Sequence, residues 1–263
     1  MTARPRLDVE LVRRGLASSR ERAQELIAES RVIVNGVVAA KAATQVDHSV
    51  SIVVAHSDEV EYASRGGHKL AGALDQLPVQ VAGRRCLDAG ASTGGFTDVL
   101  LQRGAAQVIA VDVGYGQLIW RLRQDPRVVV HDRTNVRHLT PETVGGTVDL
   151  VVADLSFISL TVVLEALTGL APEGELLIMV KPQFEVGREQ LGSGGVVRDP
   201  SQRASAIAGV ASSALEWGWA MRGVVASPLP GPSGNVEYFL WLQRGQAPVD
   251  LAAIEAAVAE GPA

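Results

Sequence analysis

Charged side chains stand where four predicted buried strands end. Asp88, Asp112 and Asp154 each follow a short apolar run, and Lys181 follows the apolar run of residues 176–180. In an open α/β sheet the carboxyl ends of neighbouring parallel strands share one edge, and ligands bind there. We therefore expect these four side chains to converge on a single site.

The stretch of residues 85–97 reads R-C-L-D-A-G-A-S-T-G-G-F-T, which predicts a buried strand, a glycine-rich turn and a helix. Gly90, Gly94 and Gly95 carry no Cβ, so the turn can take a positive φ and a ligand can approach its backbone closely. The N–H groups of the following helix would point at that ligand. Asp112, after the next strand, is placed to accept hydrogen bonds from ribose hydroxyls. The pattern G-x-x-x-G-G favours a nucleoside ligand, and it differs from the dinucleotide pattern G-x-G-x-x-G.

The same turn has two other interpretations. Residues 90–94 match G-x-S-x-G, the nucleophile elbow of α/β-hydrolases, in which a catalytic His follows late in the chain. The last of the five histidines here is His138, which makes a hydrolase the weaker hypothesis. The other alternative is a structural strand-to-helix turn that binds nothing.

Two further charged residues are predicted to reach the same edge. Lys69 lies in the first turn of a helix expected over residues 64–77, just before the first strand of the sheet. Glu237 begins the final strand, residues 237–242, which follows residues 223–226 too directly for a parallel crossover. An antiparallel last strand starts at the edge where the parallel strands end. The alternatives are a solvent-facing Glu237 and a Lys181 that only caps its strand.

Strands and helices alternate from residue 64 onward, which is typical of an α/β fold with a parallel sheet covered on both faces. The last two strands add an antiparallel hairpin. The first fifty residues differ: helices are predicted at 7–14 and after Ser18-x-x-Glu21, followed by a hairpin with Asn35-Gly36 at its turn. We therefore predict a small α+β domain at 1–58, a linker at 59–63 and an α/β domain at 64–263.

Charge is distributed unevenly between these parts. Residues 1–50 carry eight Lys or Arg against six Asp or Glu, whereas the remainder carries sixteen against twenty-three. A mildly basic head on an acidic body indicates that the head meets any anionic partner. Ordinary surface scatter is the alternative.

The head resembles a known RNA-binding module. Its motif L-D-x-x-L-x-x-x-G-L-A-x-S-R-x-x-A-x-x-L-I, followed by V-x-V-N-G, is similar over residues 7–36 to the module named after a ribosomal small-subunit protein. One departure is Ser30, where that module usually has Gly. The resemblance implies contacts between arginine side chains and RNA phosphates. A helical adaptor for protein partners is the alternative.

The body resembles the FtsJ-type ribose 2′-O-methyltransferases. The order Lys69, Asp154, Lys181 and Glu237, with D-x-G at Asp88, is similar to their Lys-Asp-Lys-Glu tetrad. With the head attached, the chain is identified as a member of the hemolysin-A-like (TlyA) family, through D-A-G-A-S-T-G-G-F-T, A-D-L-S-F-I-S-L, V-K-P-Q-F-E-V-G and P-L-P-G-P-S-G-N-V-E-Y-F.

This family resemblance implies a function. It implies a Rossmann-like class I methyltransferase domain with a seven-stranded sheet, and methylation of cytidine 2′-hydroxyls in ribosomal RNA with S-adenosylmethionine as the cofactor. Its partners would be the RNA of the 30S and 50S ribosomal subunits. It also implies a link to susceptibility to the antibiotics capreomycin and viomycin.

The resemblance assigns roles to residues as well. Lys69, Asp154, Lys181 and Glu237 would be catalytic, with Lys181 as the base that removes the hydroxyl proton and Asp154 orienting it. The expected cofactor-binding residues are Asp88, Gly90, Ala91, Ser92, Thr93, Gly94, Gly95, Phe96, Asp112, Val113, Asn135, Asp154, Leu155 and Phe157. The expected RNA-binding residues are Arg4, Arg6, Arg20, Lys41, Arg65 and Arg188.

Composition limits the classes of protein to which the chain can belong. No apolar run approaches the roughly 18 residues of a membrane-spanning helix, and no secretion signal is expected. A single Cys, Cys86, leaves no internal disulfide or cysteine-based metal site, so we expect no metal and a cytoplasmic location. Two alternatives remain open: a pore-forming haemolysin, and an RNA-binding protein whose methyltransferase body is inactive.

Overall fold

The computed structural model describes residues 4–17, 19–28, 30–55, 62–187, 191–231 and 233–262. The chain divides into two compact units, Met1–Glu61 and Tyr62–Ala263. We call them the N-terminal unit and the C-terminal unit.

The N-terminal unit contains two helices and a small antiparallel sheet. The helices are α1 (Leu7–Arg13) and α2 (Arg20–Ala28), and the strands are β1 (Val32–Val34), β2 (Val37–Val38) and β3 (Ile52–Val54), in the order β2-β1-β3. Apolar side chains from both helices and β1 form its core: Leu7, Leu11, Ala23, Leu26, Ile27 and Val32. The predicted hairpin of β1 and β2 is confirmed, whereas β3 was not predicted.

Backbone conformation explains two turn residues of this unit. Asn35 and Gly36, between β1 and β2, have φ of 49° and 82°, as a two-residue hairpin turn with two positive φ values requires. Ser30, just before β1, has φ of 58°. That left-handed conformation favours glycine, which accounts for the glycine usual at this position in the module that the sequence resembles.

The C-terminal unit is built on a seven-stranded sheet, as expected. The strands are β4 (Arg85–Ala89), β5 (Gln107–Val111), β6 (Val128–His131), β7 (Leu150–Ala153), β8 (Glu175–Val180), β9 (Trp219–Ala226) and β10 (Tyr238–Arg244). Their order in the sheet is β6-β5-β4-β7-β8-β10-β9. Strand β10 is antiparallel to both of its neighbours, while the adjacent pairs from β6 to β8 are parallel.

Helices cover both faces of this sheet. They are α3 (Arg65–Gln76), α4 (Gly95–Gln102), α5 (Trp120–Arg123), α6 (Leu164–Leu170), α7 (Pro182–Glu185), α8 (Pro200–Glu216) and α9 (Leu251–Glu260). Strand residues alternate between two cores: Leu87 packs in the cluster that contains α6, α8 and α9 residues, and Cys86 in the cluster with α3 and α4 residues. Burial on both faces is why the strands read as continuous apolar runs.

Some boundaries differ from the sequence-based expectation. Strand β9 begins at Trp219, four residues earlier than the strand expected at residues 223–226. Helix α9, for which the sequence led to no prediction, starts after Asp250, whose side chain accepts a hydrogen bond from the Ala253 N–H at 3.0 Å. An Ala-rich segment with such a cap is a favourable helix.

Candidate active site

The predicted convergence at the carboxyl edge is present. Asp88 is the fourth residue of β4, while Asp112, Asp154 and Lys181 directly follow β5, β7 and β8. Strands β5, β4, β7 and β8 are consecutive in the sheet. The four side chains therefore start from neighbouring positions along one edge.

Lys181 is held by two oxygen atoms from the segment that follows β7. Its Nζ lies 2.6 Å from Asp154 Oδ1 and donates to Ser156 Oγ at 2.9 Å. The Lys181 side chain is 9% exposed, so burial of its charge is offset by the carboxylate and the hydroxyl. The sequence predicted Asp154 for this site but missed Ser156, although the run D-L-S-F places Ser156 two residues beyond Asp154.

A second ion pair joins elements that are far apart in the chain. Lys69 Nζ lies 2.5 Å from Glu237 Oε2, and the two side chains are 9% and 1% exposed. Lys69 occupies the second turn of α3, one turn later than expected, and Glu237 immediately precedes β10. The backbone carbonyl of Glu237 accepts a hydrogen bond from Ser227 N–H at 2.8 Å, which fixes the residue at the entry to the strand.

The first turn of α3 lies against the Lys181 ion pair. A Cβ on Gly66, three residues before Lys69, would lie 3.9 Å from Asp154 Oδ2. The same side of α3 therefore approaches Asp154 and carries Lys69 toward Glu237. All four residues of the expected tetrad lie at this edge of the C-terminal unit.

The glycine-rich turn between β4 and α4 is closely packed. Gly90 and Gly94 have φ of 87° and 102°, which side chains rarely adopt. A Cβ on Gly90 would overlap the Asp154 carbonyl oxygen, and one on Gly94 would overlap the side chains of Leu118 and Leu122. Glycine is therefore required at both positions, and the turn packs against the backbone of Asp154, the first residue after β7.

Asp112 ties this turn to the loop that follows β5. Its Oδ2 accepts from Ser92 N–H at 2.8 Å, and its Oδ1 accepts from Gly114 N–H at 2.7 Å. Each carboxylate oxygen has a second lone pair. Asp112 can therefore organise the turn and still accept hydrogen bonds from the hydroxyls of a ribose.

Asp88 lies fully buried beneath the turn. Thr97 Oγ1 donates to its Oδ2 at 2.7 Å, whereas Oδ1 has no hydrogen-bond partner among the residues the structure describes. Burial raises the pKa of Asp88 to about 7, because the charged form loses hydration. An unsatisfied buried acceptor is uncommon in native proteins and is typical of functional sites.

Seven other expected cofactor residues fall into three groups. Ala91 and Phe96 belong to the α3/α4 core, so only their backbone is available to a ligand. Asn135 accepts a hydrogen bond from Arg137 N–H at 3.0 Å and caps a short 3₁₀ turn. Exposed at the surface are Ser92, Thr93, Val113 and Phe157.

Phe157 is conspicuous among these residues. It is 91% exposed and has φ of 64°, a strained conformation for a bulky residue. Its ring lies 5.3 Å from that of Phe184 in α7. Glu185, one residue later, accepts from Leu160 N–H at 2.9 Å, so α7 is bonded to the segment that follows Asp154.

The expected RNA-binding residues are mostly at the surface. Arg4 lies 3.8 Å from Asp47, and Arg6 and Arg20 both bond Asp8 in the N-terminal unit. Lys41 is exposed in the same unit, and Arg65 is exposed in the C-terminal unit as the first residue of α3. Arg188 lies outside the described residues. Asp8 is a fixed position of the motif shared with the RNA-binding module, but no role was predicted for it.

Comparisons with known proteins show the family. Residues 62–244 match the FtsJ-like methyltransferase family, and residues 5–52 match the S4 domain. The chain therefore belongs to the FtsJ-like methyltransferase family, and it is an enzyme of the methyltransferase class.

Two curated relatives and one solved structure refine the comparison. The chain is 59% identical over 269 residues, covering 100% of both proteins, to the "16S/23S rRNA (cytidine-2'-O)-methyltransferase TlyA" of Mycobacterium tuberculosis. It is 44% identical to the "Putative rRNA methyltransferase YqxC" of Bacillus subtilis, covering 92% of this chain and 87% of that protein. The structure named "Putative hemolysin from Streptococcus thermophilus" has a TM-score of 0.78 and 36% identity, covering 99% of this chain and 96% of that one.

Proposed function

We propose that this protein transfers a methyl group from S-adenosylmethionine to the 2′-hydroxyl of cytidine ribose in ribosomal RNA. The observation that carries the proposal is the pair of buried lysine–carboxylate contacts, Lys181–Asp154 and Lys69–Glu237, at the sheet edge beside the glycine turn. The Mycobacterium tuberculosis relative, 59% identical over its full length and named for this reaction, supports the same activity.

The residues at the turn fit the cofactor. A Cβ on Gly90 would overlap the Asp154 carbonyl oxygen, so glycine keeps the turn against this residue of the tetrad, and Asp112 presents carboxylate oxygens that suit ribose hydroxyls. Asp88 adds a buried acceptor below the turn. When bound, S-adenosylmethionine supplies a methyl group on a sulfonium, which is a good leaving group.

The tetrad then has to align the ribose hydroxyl and remove its proton. Lys181 would accept the hydroxyl proton as the ribose oxygen takes up the methyl group that bound S-adenosylmethionine would supply. Asp154 and Ser156 aim that amine by holding Nζ from two directions. Lys69 and Glu237 position the hydroxyl. Alignment is the larger contribution, because the leaving group is already activated.

The N-terminal unit supplies the affinity for RNA. We propose that it contacts RNA phosphates in both the 30S and the 50S ribosomal subunits, and that the protein acts in the cytoplasm where those subunits occur. Loss of these methyl groups is expected to lower susceptibility to capreomycin and viomycin. Growth on either drug of a deletion strain carrying a wild-type copy, compared with the same strain carrying a Lys181→Ala copy, tests that link.

The decisive experiment uses purified protein, labelled S-adenosylmethionine and separate ribosomal subunits from cells that lack this protein. We expect label in both subunits, on a cytidine ribose that resists alkaline cleavage. Lys181→Ala should abolish the label, while Lys41→Ala, which removes an exposed lysine of the other unit, should retain chemistry at saturating RNA. Absence of label with the wild-type protein on either subunit overturns the proposal.

Two other functions predict different outcomes. The Streptococcus thermophilus structure carries the name hemolysin, but none of the helices in the described residues has the length and apolar character needed to cross a bilayer. Lysis of red cells by the purified protein would support that function. An RNA-binding protein with an inactive body would show no heat in a cofactor titration by calorimetry.

A further inference from the structure

The N-terminal unit contains a fully buried carboxylate surrounded by half-exposed cations. Asp8, in the first turn of α1, has a side chain that is 0% exposed. Arg6 donates to it through Nε and Nη2, both at 3.0 Å, Arg20 donates through Nη2 at 3.1 Å, and Gln24 through Nε2 at 3.1 Å. The Arg6 hydrogen bonds hold the pKa of Asp8 well below its usual range, so the carboxylate is charged.

The contacts bring two guanidinium groups together. Arg6 Nη2 and Arg20 Nη2 bond the same oxygen, Asp8 Oδ2, so the two cations are adjacent although like charges repel. Arg20 is the first residue of α2, where a cation is unfavourable for the helix dipole. Neither the repulsion nor the helix explains this placement, whereas the shared carboxylate does.

The arginines keep donors for another ligand. A guanidinium has five N–H donors; Arg6 gives two of them to Asp8 and Arg20 gives one. The Arg6 and Arg20 side chains are 46% and 54% exposed. Two fixed guanidinium groups with outward donors match the acceptor oxygens of a phosphate.

We propose that Asp8 is a positioning residue for RNA binding, which locks Arg6 and Arg20 into a preformed clamp for backbone phosphate. The inference rests on the proposed action on ribosomal RNA and extends it to a residue that itself touches no RNA. A clamp that is fixed before binding loses little side-chain entropy when the phosphate arrives. Asp8 therefore strengthens the binding of an anion although it is itself negative.

Glu10 offers a matched comparison on the same helix. Its side chain is also 0% exposed, and it bonds Arg13 and Arg14. Arg14, however, is only 21% exposed and also donates to the carbonyls of Val50 and His48, both at 2.8 Å. The Glu10 network therefore fastens α1 to the segment before β3, and we assign it no part in the clamp.

The test compares Asp8→Asn with Glu10→Gln in the full-length protein, using ribosomal subunits from cells that lack the protein. Each variant removes one negative charge, so electrostatics alone predicts tighter RNA binding for both. The clamp predicts that Asp8→Asn binds at least about fivefold more weakly and that its salt slope falls by about one unit, the value of one lost phosphate contact. Glu10→Gln should keep the wild-type salt slope.

Kinetics separates positioning from general damage. Asp8→Asn should raise the KM for RNA while kcat at saturating RNA and the cofactor affinity stay at wild-type values. In an Arg20→Ala background, the effect of Asp8→Asn on RNA affinity should shrink by at least about half, because residues in one network are coupled. An Asp8→Asn protein that is folded and binds RNA as tightly as wild type, or more tightly, overturns the inference.

Two controls keep the outcome decisive. If the wild-type protein neither binds nor methylates the subunits, that result contradicts the proposed function itself. Weaker binding by a variant, by contrast, is informative about the clamp. If circular dichroism shows that Asp8→Asn unfolds the N-terminal unit, Gln24→Ala decides instead, since it removes one neutral donor to Asp8 and no charge. We expect it to weaken RNA binding by about threefold, the effect of one hydrogen bond; unchanged affinity contradicts the clamp.

Discussion

At the scale of single residues, the proposed chemistry depends on how Lys181 is held. Asp154 and Ser156 fix its Nζ from the neighbouring strand end, and the amine has to be neutral to accept a proton. We predict that Lys181→Ala lowers the single-turnover rate at least about a hundredfold, the low end for a positioned acid–base group. Rapid-quench assays with labelled cofactor measure this rate.

The companion variant Lys181→Arg distinguishes a base from a positioning cation. A guanidinium keeps the charge and can pair with Asp154, but it stays protonated in proteins. We expect no rescue, and cofactor affinity close to wild type in both variants. Near-wild-type turnover by Lys181→Arg would show that water or alignment alone carries the step.

Asp88 makes a prediction about pH and stability. Burial raises its pKa to about 7 in the folded protein, well above the value near 3.9 of an unfolded aspartate. The folded state therefore binds the proton more tightly, and the associated stability is present at low pH and lost as pH rises through about 7. From about pH 5 to about pH 8 the loss amounts to about 2–3 kcal/mol.

Chemical denaturation across that pH range measures the effect. Asp88→Asn cannot titrate, so the difference in unfolding free energy between wild type and variant should change by this amount between the two ends of the range. The asparagine amide leaves a different buried polar group unpaired, which changes the unfolding free energy of the variant at every pH. Only the change of the difference with pH is therefore informative. A difference that is constant with pH would show that Asp88 is ionised throughout.

At the scale of elements, the turn before β1 contains avoidable strain. Ser30 adopts φ of 58°, which costs an L-residue roughly 1–2 kcal/mol. We predict that Ser30→Gly raises the unfolding free energy of the N-terminal unit by about 0.5–1 kcal/mol, since glycine also makes the unfolded chain more flexible. Thermal unfolding followed by circular dichroism tests this.

Gly36 provides the opposite control. It has φ of 82°, and apart from its chain neighbours no atom in the described part of the chain lies within 4 Å of its would-be Cβ, so the backbone conformation is the main obstacle to a methyl group there. Gly36→Ala should destabilise the unit by about 1 kcal/mol. If both substitutions act in the same direction, backbone conformation does not explain either.

The elements also show why much of the site was predictable. Asp112, Asp154 and Lys181 could be placed together from sequence because parallel strands share a carboxyl edge. The apolar run that precedes each of these residues predicted the strand that the residue follows. Glu237 required only that the last strand be antiparallel, which its short connection indicated.

Other contacts depend on geometry that no pattern in the chain carries. The bond from Lys181 to Ser156 depends on how the backbone turns after Asp154. The Asp8 network joins α1 to the start of α2, and although the motif of the head includes both Asp8 and Arg20, it does not show that the two side chains bond each other. Helical or strand periodicity predicts which face is buried, but it does not predict which buried polar groups bond one another.

At the scale of the whole molecule, we propose that chemistry and RNA affinity belong to different units. The tetrad and the glycine turn lie within Tyr62–Ala263, and the S4 match covers residues 5–52. The C-terminal unit has its own sheet and two cores, so it should fold without the first 61 residues. Separate units of this kind make a division of labour testable by truncation.

We predict that the fragment of residues 62–263 binds S-adenosylmethionine as tightly as the full chain but no longer methylates ribosomal subunits. The cofactor turn is complete in the fragment, whereas the basic unit that would hold RNA phosphates is lost. Calorimetry and label transfer measure the two properties. A full-length Lys41→Glu variant is the matched comparison: it reverses one exposed charge, so its salt slope for RNA binding should fall by about one unit. Full methylation of subunits by the fragment would place RNA recognition in the C-terminal unit instead.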